Sequence, residues 1–172
     1  SILSGSTTFN NFTCTTAGKQ LTFTAGTTQT ILGILTLTGT SASKIKLRSS
    51  SSGSIYTITD SGTENVSFVD VQDSTATNSI TAYNSTNSGN NTNWTFNSLS
   101  ITYPASAKTI GQTPTVIGVS GASESVTIKD ISGNTVATTT ADTNSNWRVA
   151  VSTSLAVGAN SLTPYVGTVA GS

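Results

Sequence analysis

Threonines alternate with single apolar residues along much of this chain, as in Gln20-Leu21-Thr22-Phe23-Thr24 and Ile34-Leu35-Thr36-Leu37-Thr38. A period of two puts apolar side chains on one face of a strand and hydroxyls on the other. Thr is β-branched, so it suits a pleated surface better than a helix. Ser and Thr fill over a third of the 172 positions, whereas charged residues account for 8%. A chain written this way commits its residues to sheets and leaves few for acid, base, nucleophile or metal chemistry.

The length allows one or two domains. Hydrophobic content is lean at 34%, but seven basic residues balance seven acidic ones. Disordered chains combine low apolar content with high net charge. Zero net charge with regular apolar alternation argues instead for folded β-structure. It also removes the electrostatic case for nucleic acid or an anionic membrane as partner. No apolar window is long enough to span a membrane. No basic start precedes an apolar run, as it would in a signal peptide. The Asn- and Thr-rich composition with little charge suits an exported protein at a cell surface.

His and Met are absent, and Cys14 is the sole cysteine. The missing His removes the commonest general base and metal ligand. One cysteine excludes an internal disulfide, and its apolar strand context makes Cys14 a small core residue.

Short apolar strand cores recur through the first half: Phe9 to Cys14, Leu21 to Phe23, Ile31 to Leu37, Ile45 to Leu47, Ile55 to Ile58, Val66 to Val71, Ile80 to Ala82 and Trp94 to Phe96. Gly, Ser, Asn and Asp clusters punctuate them, and no segment has helical periodicity. Such spacing fits a sandwich, a barrel or a solenoid. The short strands and small-residue corners favour a parallel β-helix, with an antiparallel sandwich as the alternative. The character of the chain changes near Ser98 to Pro104, which divides it into residues 1–98 and 99–172.

Two resemblances sharpen this reading. Thr36-Leu37-Thr38-Gly39-Thr40, Ile45-Lys46-Leu47-Arg48-Ser49, Val66-Ser67-Phe68-Val69-Asp70-Val71 and Gly89-Asn90-Asn91-Thr92-Asn93-Trp94-Thr95-Phe96 occur in that order. The first part thereby resembles the β-helical regions of large secreted bacterial surface proteins. The second resembles a bacterial immunoglobulin-like domain, through Thr113-Pro114-Thr115-Val116, Ser125-Val126-Thr127-Ile128-Lys129-Asp130, Gly133-Asn134-Thr135-Val136 and Asn144-Ser145-Asn146-Trp147-Arg148-Val149. The implied fold is a short right-handed parallel β-helix (β-solenoid) followed by an immunoglobulin-like β-sandwich. In the sandwich, Asp130 to Asn134 reads as a hairpin turn, and Trp147, Val149 and Val151 as a central core strand. Neither resemblance supplies a catalytic residue or a cofactor.

The chemistry-bearing residues read mostly as structural. Asp70 and Asp73, with Asp60 and Glu64 one coil away at best, are the acid group to weigh for hydrolysis or cation binding, and they read as solvated turns. Lys44, Lys46 and Arg48 alternate around Ile45 and Leu47 and so share one outward face. Asp142 to Asn146 carries one carboxylate, too few for a tight calcium loop, and reads as an Asx turn. Sequons at Asn11, Asn65, Asn84, Asn90 and Asn93 are possible glycan acceptors. The apolar start, Ile2 and Leu3, is a candidate strand for donation to a neighbouring copy. The expectation is a non-enzymatic extracellular structural segment of a fibre, filament or stalk, self-associating or joined to neighbouring domains. A carbohydrate-binding adhesin is the alternative, and a polysaccharide-degrading β-helix enzyme is third.

Overall fold

The computed structural model describes residues 1–104, 111–156 and 160–171. These residues form strands, turns and bends but no helix, so the chain is all-β. It divides into two compact units, Ser1–Asn97 and Ser98–Ser172.

Through most of the first unit, each strand pairs in parallel with the strand three further along. β1 (Ile2–Leu3), β4 (Gln20–Phe23), β7 (Ile45–Ser49), β10 (Val69–Val71) and β12 (Thr86–Asn87) make one sheet in that order. β2 (Thr7–Phe9), β5 (Thr28–Ile31) and β8 (Tyr56–Asp60) make a second file. β3 (Phe12–Cys14), β6 (Ile34–Thr38) and β9 (Thr63–Ser67) make a third. The long β11 (Ser74–Tyr83) pairs with β8 at its start and with β9 at its last residue. It thereby joins the second and third files into one β-helix-like parallel sheet. That sheet nearly closes on itself, with β2 and β3 at its ends. β13 (Thr92–Asn97) lies along β11.

Three of the expected strands are each two strands with a corner between them. Phe9 to Cys14 bends at Asn10-Asn11, Ile31 to Leu37 at Leu32-Gly33, and Val66 to Val71 at Phe68. The corners are too short to interrupt an apolar run. Phe68 turns at φ 51°, where a bulky residue is rare. Asp73, Asn84, Asn90 and Asn93 adopt the same left-handed backbone, with φ of 59°, 51°, 55° and 59°, a conformation that short polar side chains tolerate.

The interior is a set of apolar columns. Leu21 lies opposite Leu47, which lies opposite Val71. Leu37 lies between Cys14 and Val66. Cys14 is half-buried against this core, while the other five are buried. Each fully buried side chain of this size contributes about 1.5–3 kcal/mol. Alternation along β4, β5, β6 and β8 leaves Thr on the outside.

The second unit is antiparallel. β14 (Ser100–Tyr103), β15 (Thr115–Val119) and β18 (Asn146–Ala150) form one sheet in that order. β17 (Thr135–Thr140), β16 (Ser125–Lys129), β19 (Thr163–Val166) and β20 (Val169–Ala170) form another. One core serves the unit, with Val116, Val126, Ile128, Val136 and Trp147 among its buried members. The β16–β17 turn is built on Asp130, whose Oδ1 accepts from Ser132 N at 2.9 Å and Asn134 N at 2.8 Å. Trp147 does not lie on a central strand. β18 is at the edge of its sheet, and β15 holds the middle. Gly118 of β15 faces Trp147, and its lack of a side chain makes room for the indole.

Candidate functional site

The charged residues of the first unit concentrate on the outer face of the β1–β12 sheet. Gln20, Lys46, Asp70 and Thr86 stand side by side across β4, β7, β10 and β12. Lys44 Nζ donates to Thr86 Oγ1 at 2.7 Å. Arg48 Nη2 meets Asp70 Oδ2 at 2.5 Å, and Nη1 donates to the Asp70 carbonyl at 2.6 Å. Ser88 Oγ donates to Asp70 Oδ1 at 2.5 Å. Both carboxylate oxygens of Asp70 are therefore engaged in holding neighbouring strands together.

Burial alone raises the Asp70 pKa. The hydrogen bonds from Arg48 and Ser88, with the charges of Arg48 and Lys46, outweigh it and hold the carboxyl below its ordinary 3.8. A depressed pKa means that ionised Asp70 stabilises the fold above its unfolded-state pKa. That contribution disappears as pH falls through the lower folded value. Asp70→Asn is expected to lower stability at pH 7 by about 1 kcal/mol or less, because the pair is partly solvated and screened. Urea denaturation against pH measures this, and the two proteins should converge in acid; a constant difference down to the lowest pH would remove the ion pair as the cause.

The other acids do not converge with Asp70. Asp73 is buried at a corner, where its carboxylate accepts from Gly53 N at 3.1 Å and Asn90 Nδ2 at 2.8 Å. Asp60 is buried at the end of β8 and accepts from Gly62 N at 3.3 Å. Glu64 Oε1 accepts from Thr81 N at 2.8 Å. Burial, against the opposing Thr81 bond and with help from Asp60, pushes the Glu64 carboxyl up. Among the described residues, no group of three or more His, Cys, Asp or Glu is placed to hold a metal ion, and no helix is long and apolar enough to cross a membrane.

Most of the sequon asparagines lie at corners or near strand ends, where several bind the backbone, whereas Asn65 is in the middle of β9. Asn11 Oδ1 accepts from Ile34 N at 2.8 Å, Asn90 holds Asp73, and Asn93 Nδ2 donates to Ala76 O at 3.0 Å. Asn65 is half-buried, its Oδ1 without a hydrogen-bond partner, and Asn84 is half-buried at its corner. Ile2 and Leu3 form β1, paired to Thr22 and Phe23 of their own chain. Asp142 Oδ1 accepts from Asn144 N at 2.8 Å and Asn146 N at 2.9 Å, which makes its loop a self-contained turn. Of the aromatics, Tyr103 is exposed, whereas Tyr83 is buried.

The second file also carries an ordered array of threonines. On the second file, Thr28, Thr57, Thr75 and Thr92 stand in register on β5, β8, β11 and β13. Ser6 extends this row, its Oγ accepting from Thr28 N at 3.0 Å. A parallel row holds Thr8, Thr30 and Thr59 in register. It continues to Thr77, whose hydroxyl lies 2.9 Å from that of Thr59. Gln29, Ile58 and Ala76, between the rows, are buried, which fixes the flanking threonines as outward-facing. No charged residue occupies either row. The other faces lack this regularity: Lys46 and Arg48 interrupt one, and Asn65 follows Thr36 on the other.

No family model, no curated protein and no solved structure matches this chain.

Proposed function

We propose that the chain is an extracellular structural segment of a surface fibre or stalk, a short right-handed parallel β-helix followed by an immunoglobulin-like sandwich. The supporting observation is the parallel pairing of each strand with the one three further along, from β1 to β10. Every lap of chain rests on its neighbour through backbone hydrogen bonds and a shared apolar interior, so length and stiffness come from one repeated contact. The charged side chains of this unit reinforce that contact, as Arg48 does when it ties β7 to β10. The second unit supplies a compact module that holds by packing, without a disulfide.

Among the described residues, β1 and β12 end one sheet of the first unit, and strand edges are templates for another chain. End-to-end association by strand addition follows from this reading. Electron microscopy of the purified protein over a range of concentrations tests it, with filaments or rods of uniform width expected. Deleting residues 1–8 removes β1 and most of β2 and is expected to abolish assembly. Dispersed particles at every concentration, or unchanged polymer length after the deletion, would reject assembly through these edges. Dispersed particles with reproducible glycan-array binding would favour an adhesin instead.

A further inference from the structure

We propose that the threonine face of the second file binds ice. The two rows, centred on Thr30 and Thr59 and on Thr28 and Thr57, are separated by a single inward residue. Neighbouring positions within a row repeat at the strand spacing of about 4.8 Å, and the rows lie about 6.6 Å apart, two residues along a strand. The first of these backbone repeats lies close to the shorter oxygen spacing of a prism face of hexagonal ice, and the second is somewhat less than the longer one, a gap the hydroxyl rotors have to bridge.

Three features select ice over a dissolved ligand. The surface is a sheet face and not a pocket, whereas small molecules are held in concave sites. A repetitive face gains by meeting a repetitive partner, because each added register point strengthens the same contact. The face is also uncharged and offers a hydroxyl and a methyl at every Thr position, matching the mixed polar and apolar character of an ice surface. Finally, Thr is stiff about χ1, so the array is ordered before binding and loses little entropy on contact. A crystalline polysaccharide is the competing lattice. Sugar rings are recognised by aromatic faces, and neither row contains an aromatic residue.

This inference is independent of the fibre reading, since it needs only the folded first unit. The test is partition of the purified full chain into slowly growing polycrystalline ice, together with inhibition of ice recrystallisation. The wild type is expected to enter the ice and to keep crystals small at micromolar concentration. Thr57→Tyr puts a bulky ring in the middle of the face and should weaken the effect about tenfold or more, as truncation or intrusion at a central contact does. Thr30→Lys, made separately, should act alike. Thr22→Tyr, on the charged sheet, should retain full activity. Circular dichroism and urea midpoints establish that each variant is folded. Exclusion of the wild type from ice would overturn the proposal, as would equal losses in Thr22→Tyr and Thr57→Tyr. Retention on crystalline cellulose or chitin without uptake into ice would overturn it too.

Discussion

Gly62→Ala is expected to destabilise the first unit by at least about 3 kcal/mol. A methyl group at this corner would overlap the Gly33 carbonyl, and the atoms in its way are backbone. That carbonyl accepts from Thr63 N at 2.9 Å, while Gly33 N donates to Asn10 O at 2.6 Å. Relief of the overlap therefore requires three laps of chain to separate at one corner. Flexible side chains can yield to an added methyl; a backbone stack cannot without breaking its hydrogen bonds. The two tryptophans make the measurement selective, because Trp94 lies in the first unit and Trp147 in the second. In a Trp147→Phe background, urea unfolding followed by Trp94 fluorescence should shift to a much lower midpoint. Gly111→Ala meets nothing within 4 Å and is the neutral comparison. An unchanged Trp94 midpoint in Gly62→Ala would show that the corner has slack the packing does not display.

Tyr56→Ala should cost about 3–5 kcal/mol, the range for deleting a large buried aromatic. Tyr56 is fully buried, and its ring stacks on Phe23 with centroids 4.4 Å apart and planes at 12°. Phe23 belongs to β4 and Tyr56 to β8, so this pair links the first sheet to the second file across the interior. Ser74 is beside the hydroxyl, yet the two make no well-formed hydrogen bond. Burial accordingly pushes the phenol pKa far up. A buried hydroxyl without a partner gives little net stability, so Tyr56→Phe should change stability by less than about 1 kcal/mol. Chemical denaturation of both variants separates ring from hydroxyl. Equal losses in the Ala and Phe variants would mean that the hydroxyl, not the stack, holds this part of the core.

Strand positions in this chain are legible because alternation is a local signal. Leu21 and Phe23, Leu35 and Leu37, and Ile45 and Leu47 all point inward as their spacing requires. Strand direction is not local. Parallel pairing joins Leu21 to Leu47 and Leu47 to Val71 over distances that no window of sequence covers. Corners are hidden for a different reason. Phe9 to Cys14 looks like one run because Asn10 and Asn11 together are shorter than an ordinary loop. At Phe68 the turn is made by a residue with no turn propensity of its own, held in place by pairing on either side. Trp147 shows the limit of burial as a guide, since a buried indole on an edge strand looks the same in sequence as one at the centre of a sheet.

The threonine rows were within reach of the sequence. Thr28-Gln29-Thr30, Thr57-Ile58-Thr59 and Thr75-Ala76-Thr77 share one pattern, but unequal lengths of chain separate them, which conceals the repeat. Thr36-Leu37-Thr38 has the same form and lies on another file. Only the three-dimensional register shows that this tripeptide stacks on Thr13 and Cys14 and then meets Asn65, Val66 and Ser67, where its threonine rows stop. The Arg48–Asp70 pair is similar: the two belong to strands separated by the β8 and β9 segments, and adjacency comes from the third-neighbour pairing.

That pairing rule also governs how such a molecule changes size. A duplicated circuit of three strands would arrive with its inward and outward residues already in phase with the circuits above and below. Insertion of one strand would instead shift every later strand onto the wrong side. Growth and loss are therefore quantised in whole circuits, while the connecting bends are free to vary in length between one circuit and the next.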